Sequence, residues 1–536
     1  VMTTFNLAEL WEALTEAGPD AECLVGGDQR RTRRQLDDRA SQLAHELRAN
    51  GIGRNDHVGV YSLNRVEFIE AMLACWKLAA VPININWRYV AKELRYVVDN
   101  ADLAAMVIER AYLPVFDEIA PDFPSVQHVV VLEDGTDHRP MNVEIVEYEA
   151  ALAGRPITRD FGVERSDDDR YLLYTGGTTG MPKGVEWRHE DVFYGCMGGG
   201  NYYDPISSAD DIVVNATEPG LPMNPLAIGP LMHGGGQWPT FIGLYSGGKS
   251  VIYTERSYDA DRVLELCRDE DIMTLSLVGD AMARPLAEAQ LDHPYELPAL
   301  MNIGSGGAML TKPVKDQLRQ AFPGVIITDG YGASETGSAA VGIDNDNDME
   351  AVKFSVDANT AVLDDDLERI PAGAGRKGML ARTGHIPLGY YKDPVKTAET
   401  FVTDPHGTRW VVPGDLAEID ADGMLVLYGR GSQCINSGGE KIFPEEVEAA
   451  CRAHPDVYDA IVTGVPDERF GNKVVALVEL RSGAQELTLQ QLQEHCRKEI
   501  AGYKLPRAIV VGPVQRTNVG KQDYVWAKDR ALEALS

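Results

Sequence analysis

Tyr174-Thr175-Gly176-Gly177-Thr178-Thr179-Gly180-Met181-Pro182-Lys183-Gly184 is the stretch on which the fold and function of this 536-residue chain depend. It follows the apolar run Tyr171-Leu172-Leu173, which predicts a buried strand. Glycines let successive backbone N–H groups face one concavity, threonine hydroxyls add donors and the lysine adds a positive charge, so the stretch suits a polyphosphate. It is not a Walker A loop, because no Gly-Lys-Ser/Thr sequence closes it. The alternative is a flexible surface loop, which the β-branched threonines disfavour.

The bulk properties of the chain exclude several classes of protein. Its length predicts two or more domains. A net charge of −32 argues against nucleic acid or an anionic membrane as a partner. Seven scattered cysteines and an N-terminus without a signal peptide predict a reduced, cytoplasmic protein. The stretch 219–248 has no charged side chain, but five prolines interrupt it, which favours an apolar pocket wall over a transmembrane segment.

Apolar segments alternate with helical patterns through the first part of the chain. Residues 6–50 predict two helices with a hairpin at Cys23 to Arg34, and 66–79 predict another helix. The predicted strands lie at 57–61, 81–85, 103–109 and 128–132. This alternation indicates an α/β fold with parallel sheets covered by helices. Ligands in such folds bind beyond the carboxyl ends of the strands, which is where residues 174–184 fall.

A change in composition comes near Gly429-Arg430-Gly431-Ser432, a glycine-rich and polar junction that is suited to a hinge. Beyond it, helical patterns at 444–454 and 489–500 accompany strand patterns at 460–465, 473–480 and 508–511. This predicts a separate α+β unit of about 100 residues, a usual size for a small domain.

Two further segments carry polar groups in positions suited to a nucleotide. In the run from Ile326 to Thr336, a predicted strand leads to Tyr331, Ser334 and Glu335. The tyrosine could stack on a purine, the serine could meet a phosphate and the glutamate could hold magnesium through its oxygens. The alternative is an ordinary turn with a capping serine. Asp415 has two acceptor oxygens that suit a ribose diol, although an aspartate after glycine is usually a turn former.

These motifs, in this order, resemble those of the adenylate-forming superfamily, which includes acyl-CoA synthetases, peptide-synthetase adenylation domains and firefly-type luciferases. The similar segments are the phosphate loop at 174–184, the Tyr-Gly-x-Thr-Glu motif at 331–335, the Ser-Gly-Gly-Glu block at 436–448 and the catalytic-lysine motif at 516–521. Ser334 stands for the usual threonine, Pro413 replaces another, and Ser432 stands where the hinge of relatives carries aspartate or lysine.

The resemblance implies a large N-terminal domain of parallel-rich sheets covered by helices plus a β-barrel-like subdomain, with a small mobile α+β C-terminal domain. It places an acyl- and ATP-binding domain at 1–429, a hinge at 430–432 and a lid domain carrying the catalytic lysine at 433–536. No transmembrane segment is expected.

The resemblance also implies roles for individual residues. The implied catalytic residues are Lys521, Glu335, Ser334 and Lys183, and the implied metal ligands are Glu335 and Thr178. The implied nucleotide-binding residues are Thr175, Gly176, Gly177, Thr178, Thr179, Gly180, Gly306, Gly307, Ala308, Asp329, Gly330, Tyr331, Gly332, Asp415 and Arg430. The implied acyl pocket contains His233, Trp238, Gly279 and Gly306, and the implied CoA tunnel contains Ser437, Gly438, Gly439 and Glu440. For His233, a capping or core histidine is the alternative.

The implied activity uses ATP, Mg²⁺ and CoA to convert a hydrophobic carboxylic acid first to an acyl-AMP and then to an acyl-CoA. A stand-alone acyl-CoA synthetase is favoured over a peptide-synthetase domain, because little chain follows Lys521; the same motifs serve a luciferase-like oxygenase. The segments 187–191, 279–285, 429–432 and 520–528 resemble actinobacterial CoA ligases that activate steroid side-chain carboxylates. Medium- and long-chain fatty acids suit the same uncharged wall. A non-catalytic acyl or nucleotide sensor is the alternative from another class.

Overall fold

The computed structural model describes residues 4–175, 181–218, 223–307, 310, 312–343, 353–430, 435–484, 486–515 and 523–535. Their strands form two large sheets rich in parallel pairs, one antiparallel sheet, and two small sheets near the C-terminus. No helix in these ranges is long and apolar enough to cross a membrane. The six described cysteines are buried and free.

The two large sheets are built from β19 (Gly389–Tyr390) and the first fifteen strands. These are β1 (Glu22–Gly26), β2 (Gln29–Thr32), β3 (His57–Tyr61), β4 (Val81–Asn84), β5 (Leu103–Glu109), β6 (His128–Leu132), β7 (Val146–Glu147), β8 (Arg170–Thr175), β9 (Lys183–Arg188), β10 (Pro225–Ala227), β11 (Ser250–Ile252), β12 (Thr274–Leu277), β13 (Asn302–Gly306), β14 (Ile326–Ala333) and β15 (Gly337–Ile343).

Twelve helices accompany these strands in the described part of the chain. They are α1 (Leu7–Ala17), α2 (Arg33–Ala49), α3 (Val66–Lys77), α4 (Ala91–Asn100), α5 (Leu113–Ile119), α6 (Tyr148–Leu152), α7 (His189–Cys196), α8 (Val214–Thr217), α9 (Gly234–Tyr245), α10 (Ala260–Asp269), α11 (Asp280–Asp292) and α12 (Lys312–Ala321).

The remaining elements, apart from β19, belong to the antiparallel sheet and the C-terminal unit. They are β16 (Lys353–Phe354), β17 (Thr360–Leu363), β18 (Gly378–Arg382), β19 (Gly389–Tyr390), α13 (Pro394–Thr400), β20 (Phe401–Thr403), β21 (Arg409–Val411), β22 (Asp415–Ile419), β23 (Leu425–Arg430), β24 (Ile435–Ser437), β25 (Glu440–Ile442), α14 (Pro444–Arg452), β26 (Val457–Asp467), β27 (Gly471–Leu480), α15 (Leu489–Cys496), β28 (Ala508–Val511) and α16 (Tyr524–Leu535).

The first large sheet has the order β15-β14-β13-β12-β10-β11-β1-β2, and the second has the order β19-β9-β8-β4-β3-β5-β6-β7. Pairs in the middle of each sheet are parallel, and antiparallel strands lie at both ends of the first sheet and at the β19-β9-β8 end of the second. The second sheet has an apolar cluster on each face, so β3 is buried at every position. This explains its continuous apolar sequence and confirms the predicted α/β class.

The third sheet is antiparallel, with the order β16-β23-β22-β18-β21-β20 and with β17 paired to β18. This antiparallel sheet stands where the resemblance implies a β-barrel-like subdomain. Beyond it, the hairpin of β24 and β25 and the sheet β26-β27-β28 form an α+β unit with its own apolar clusters. The boundary at 430–432 stays a prediction, because residues 431–434 lie outside the described ranges.

Several element ends differ from the predicted ones. Helix α3 ends at Lys77 rather than near 79, because Ala79 takes a left-handed backbone with φ of 52°. Strand β14 continues through Gly330 and Gly332 to Ala333 instead of giving way to a polar turn before Tyr331, because it pairs on one side with β13 and on the other with β15. Helix α15 stops at Cys496 rather than 500.

Candidate active site

The glycine- and threonine-rich stretch connects two antiparallel strands. Thr175, the last residue of β8, lies opposite Lys183, the first residue of β9. The side chain of Asn84 anchors the end of β8: its amide donates to the Tyr174 carbonyl at 2.8 Å, and its oxygen accepts from the Tyr174 N–H at 2.8 Å. Of the expected phosphate contacts, Gly176, Gly177, Thr178, Thr179 and Gly180 lie outside the described residues.

Lys183 is held at the start of β9 by an acidic partner and an aromatic ring. Its Nζ lies 2.7 Å from Asp393 Oδ2 and 5.5 Å from the centre of the Tyr390 ring. The hydrogen bond from Lys183 lowers the pKa of the Asp393 carboxyl below its usual value. Asp393 also caps α13 by accepting from the Lys396 N–H. The lysine is therefore largely shielded from solvent and follows directly on the connection between β8 and β9.

Glu335 lies in the turn between β14 and β15, where Ser334 precedes it. The Tyr390 hydroxyl donates to Glu335 Oε1 at 2.9 Å. The Trp187 indole N–H donates to the Ser334 carbonyl at 3.1 Å, which ties this turn to β9. Tyr390 thus touches both Lys183 and Glu335, so two implied catalytic residues from different sheets meet at one side chain.

Asp415 and Tyr331 form the next contact along β14. The Tyr331 hydroxyl donates to Asp415 Oδ2 at 2.6 Å, and the Asp415 side chain is buried. Asp415 begins β22, and its backbone lies opposite that of Arg430 in β23. The side chain of Arg430 lies outside the described part. Because Tyr331 lies near the end of β14 and Glu335 in the turn that follows it, the structure brings Lys183, Glu335 and Asp415 to one region.

A stretch of backbone without side chains, the glycine shelf formed by Gly306, Gly307 and Gly330, lies beside these groups. Gly306 of β13 is paired with Gly330 of β14, and Gly307 follows with φ of 78°. A Cβ built on Gly306 or Gly307 would meet no atom within 4 Å, so open space adjoins the shelf and a flat ring could approach the backbone there. Ala308 lies outside the described residues.

Two other predicted nucleotide contacts have structural partners instead. The carboxylate of Asp329 is buried, lies 2.5 Å from the Lys315 Nζ and accepts from the Leu310 N–H at 3.1 Å. A Cβ on Gly332 would lie 2.3 Å from the Gly337 carbonyl oxygen, so this glycine is required by the β14–β15 hairpin. Their proposed contact with nucleotide remains a prediction, and the described contacts favour a role in shaping the shelf.

The residues expected in the acyl pocket lie around the start of α9 and the end of β12. His233 precedes α9, and Trp238 packs over Gly234 while its N–H donates to the Tyr171 hydroxyl at 3.3 Å. Gly279 has φ of 63°, and its N–H donates to Ser305 Oγ at 2.9 Å beside the glycine shelf. Asn84 connects the two ends of the site, because its amide also donates to the Met232 carbonyl at 2.6 Å.

The hairpin of β24 and β25 reaches this region from the C-terminal unit. Gly438 and Gly439 form its two-residue turn, with φ of 58° and 85°, as a tight hairpin requires. A Cβ on Gly439 would lie 2.5 Å from Val278, next to Gly279. Glu440 follows the turn, and Ser437 is its partner across the hairpin. The implied CoA-tunnel residues therefore lie against the implied acyl pocket.

Glu440 is the charged contact at this junction. Its carboxylate contacts Arg88 and lies 3.4 Å from His233 Nε2. Burial raises its pKa, but nearby His233, Arg88 and Lys504 outweigh burial and hold the pKa below its usual value. Lys521, the implied catalytic lysine, lies outside the described residues.

Four residues of the site were missed by sequence reasoning. They are Asn84, Arg88, Tyr390 and Asp393. A polar residue near the end of the apolar strand β4 was a signal for Asn84. Tyr390 and Asp393 carry no comparable local signal, because their partners Glu335 and Lys183 are 55 and 210 positions away in the sequence.

Comparison with known proteins places this arrangement in context. The family model described as AMP-binding enzyme matches residues 11–391, and the model described as AMP-binding enzyme C-terminal domain matches residues 446–521. The 3-oxocholest-4-en-26-oate–CoA ligase of Rhodococcus rhodochrous is 45% identical over 537 residues, covering 98% of this chain and 96% of the relative. A medium/long-chain-fatty-acid–CoA/3-oxocholest-4-en-26-oate–CoA ligase of Mycolicibacterium smegmatis is 43% identical, with the same coverage.

Among solved structures, the amide bond synthetase McbA from Marinactinospora thermotolerans has the same fold. Its TM-score is 0.79, at 24% sequence identity, over 97% of this chain and 99% of that one.

Proposed function

This chain belongs to the AMP-binding enzyme family and is an AMP-forming acid–thiol ligase, and we propose that its acid is a steroid side-chain carboxylate. The observation that carries the choice of acid is the 45% identity, over nearly the whole chain, to a ligase named for a cholestenoate. The uncharged stretch at 219–248 supports it, because a bulky apolar acyl group is best received by a wall without charges.

The reaction has two steps, each with a clear requirement. A carboxylate oxygen of the acid attacks the α-phosphorus of ATP, and the bond to pyrophosphate breaks. The CoA thiolate then attacks the acyl carbon, and AMP leaves. The first step brings two anions together, so the site must supply positive charge at fixed positions.

Lys183 is the described residue that supplies such charge. We assign to it a contact with the phosphates, made from the position where Asp393 and Tyr390 hold it beside the strand connection. Asp415 is assigned to the ribose hydroxyls, and the shelf of Gly306 and Gly307 to the adenine. Tyr331, which donates to Asp415, orients that carboxylate.

Glu335 is the residue that we assign to magnesium, with the hydroxyl of Thr178 as a second ligand. The fit rests on a half-buried carboxylate held by a tyrosine hydroxyl beside Lys183. Magnesium sites on nucleotides usually take one or two protein oxygens and fill the rest with phosphates and water. When bound there, the ion would offset the charge of the phosphates that the acid approaches.

We further propose that 1–429 and 433–536 are two units joined at 430–432, and that Lys521 contacts the acid and the α-phosphate during the first step. In the arrangement described here the hairpin at Ser437 to Glu440 faces the site. This suits the second step, in which the thiol must reach the acyl carbon.

The experiment is CoA thioester formation measured with the purified protein, ATP and Mg²⁺ across a panel of acids. The panel contains a C24 and a C27 steroid acid and saturated fatty acids from C8 to C16. We expect the highest kcat/KM with a steroid acid. Turnover of the fatty acids alone would contradict the proposed acid while leaving the ligase assignment intact.

Medium- and long-chain fatty acids are the second candidate substrates. The relative from Mycolicibacterium smegmatis, whose name joins both acid classes, is the observation in their favour. Comparable kcat/KM for both classes in the same panel would establish a dual specificity.

A further inference from the structure

A buried ion cluster joins the C-terminal unit to the rest of the molecule. Lys504 Nζ lies 2.6 Å from Glu93 Oε1 and 2.6 Å from Glu446 Oε1. Glu93 belongs to α4, at the other end of the chain, and Glu446 belongs to α14. All three side chains are less than a tenth exposed. The lysine also lies 5.6 Å from the Tyr89 ring centre and 5.5 Å from that of Tyr503.

The two parts that this cluster joins have separate hydrophobic cores. The clusters of buried apolar residues between Ile435 and Ala531 contain no member from the first 430 residues. The polar contacts between the parts include Lys504–Glu93, Arg88–Glu440, His233–Glu440 and Lys92–Glu499. Among the described residues, the two parts are therefore joined by polar side chains without a shared apolar core.

The cluster and the site hairpin attach to the same short segment. Arg88 contacts Glu440, and Glu93, five residues later, contacts Lys504. Glu93 is itself fixed, because its other oxygen accepts from the Val90 N–H at 3.2 Å at the start of α4. The guanidinium of Arg88 lies 5.4 Å from the Tyr503 ring, next to Lys504. Lys504 and Glu440 are therefore held by the same short segment of the first part, at two positions five residues apart.

Lys504 is the positive member of the cluster, and both glutamates pair with it. Two carboxyl groups face one ammonium, and burial already raises the pKa of Glu446. Removal of the ammonium leaves two buried carboxyl groups next to each other, which must then take up a proton or stay without a counter-charge. When the two units are apart, Lys504 and Glu446 stay together in the C-terminal unit with access to water, and Glu93 is hydrated on the other part. The loss of the lysine is therefore costlier in the joined arrangement, where Glu93 is added to the buried cluster, while each unit keeps its own core.

We propose that Lys504 is a positioning residue for the second step, fastening the C-terminal unit where Glu440 meets His233 and the thiol reaches the acyl group. This inference rests on the proposed function, because it assigns the cluster to one of its two steps. Lys504 does not touch the reacting atoms; it acts through the placement of the hairpin at Ser437 to Glu440.

The test measures the two steps separately in the Lys504→Met variant of the full chain. Acyl-AMP formation is followed as ATP–pyrophosphate exchange without CoA, and thioester formation is followed from supplied acyl-AMP and CoA. We expect the second rate to fall about 10- to 100-fold, less than the full cost of breaking a buried ion pair because a carboxyl group can take up a proton, and the first to change less than about threefold. Lys504→Arg is expected to recover part of the second rate.

The matched control is Lys92→Met, which removes an exposed ion pair across the same junction, to Glu499. Exposed pairs contribute little, so both rates should stay within about twofold of wild type. Equal loss of both steps in Lys504→Met, or an unchanged second step, would overturn the inference.

If Lys504→Met fails to fold, it will form no acyl-AMP. The test then uses Glu93→Gln, whose amide oxygen can still accept from the Val90 N–H at the start of α4. The same result is expected of it: a slower second step with the first step nearly unchanged. Failure of the wild-type protein to activate any acid would instead contradict the proposed function.

Discussion

The hydroxyl of Tyr390 offers a sharp test of how the first step is organised. Tyr390→Phe removes the hydrogen bond to Glu335 and leaves the ring beside Lys183. Hydrogen bonds to charged groups contribute about 1.5–3 kcal/mol, and we take about 1–2 kcal/mol because the tyrosine and the carboxylate are both only half-buried. Since 1.4 kcal/mol corresponds to tenfold, acyl-AMP formation should slow by roughly 5- to 30-fold.

The assay is acid-dependent ATP–pyrophosphate exchange measured over a range of Mg²⁺ concentrations. If Tyr390 holds Glu335 in position for the ion, the half-saturating Mg²⁺ concentration should rise together with the loss of rate. A direct titration with Mn²⁺ in the presence of a non-hydrolysable ATP analogue, read by electron paramagnetic resonance, should show the same loss of affinity without turnover. Thioester formation from supplied acyl-AMP should stay near the wild-type rate.

The neighbouring residue provides a matched control. The Tyr391 hydroxyl donates to Asp102 Oδ2 at 2.8 Å, in a more exposed contact away from Glu335. Tyr391→Phe should therefore leave both the exchange rate and the Mg²⁺ dependence unchanged. An unaltered Mg²⁺ dependence in Tyr390→Phe, or the same shift in both variants, would refute the assignment of Tyr390 and Glu335.

Three further outcomes are expected. Lys521→Ala should slow acyl-AMP formation by about 10²–10³, as loss of one positioned charge does, yet leave thioester formation from supplied acyl-AMP largely intact; equal loss of both steps would contradict its role. Asp415→Asn should raise the KM for ATP about tenfold, because a charged acceptor for the ribose is lost, and unchanged KM would exclude that contact. Burial holds the pKa of Glu446 at about 7, above its usual 4.5. The joined arrangement of the two units therefore retains a proton that the separated arrangement releases. The stability of the joined arrangement declines as the pH rises through about 7. A protein carrying Lys92→Cys and Glu499→Cys should accordingly be cross-linked less by a short bismaleimide as the pH rises from about 5 to about 8. Adding Glu446→Gln should flatten that pH profile. A flat profile with Glu446 present would contradict the expectation.

Much of the fold was predictable because its signals are local. Strands β3, β5, β6 and β28 have the predicted bounds, since each is a short, mostly apolar run between turns or helices. The hairpin between α1 and α2 was predicted from its own sequence as well. Where prediction failed, pairing outweighed local preference: β14 runs through glycines, which are poor strand residues, because neighbouring strands pair with it on both sides.

The site was predictable only where its residues lie in contiguous motifs. The segments around Lys183, Glu335 and Asp415 could be recognised one by one, but their contacts could not. Tyr390 contacts both Glu335 and Lys183 from a different part of the chain. Lys504 pairs with Glu93, which lies 411 positions away in the sequence. Such pairs arise from the packing of whole sheets and units, and a single sequence carries no periodic or local trace of them.

The central claim is that the acid is activated as an acyl-AMP before any thiol takes part. The most direct measurement is exchange of labelled pyrophosphate into ATP with purified protein, Mg²⁺ and a steroid acid, in the complete absence of CoA. Rapid label incorporation that depends on the acid is the result expected here. Incorporation that begins only when CoA is added, or that ignores the acid, would contradict it.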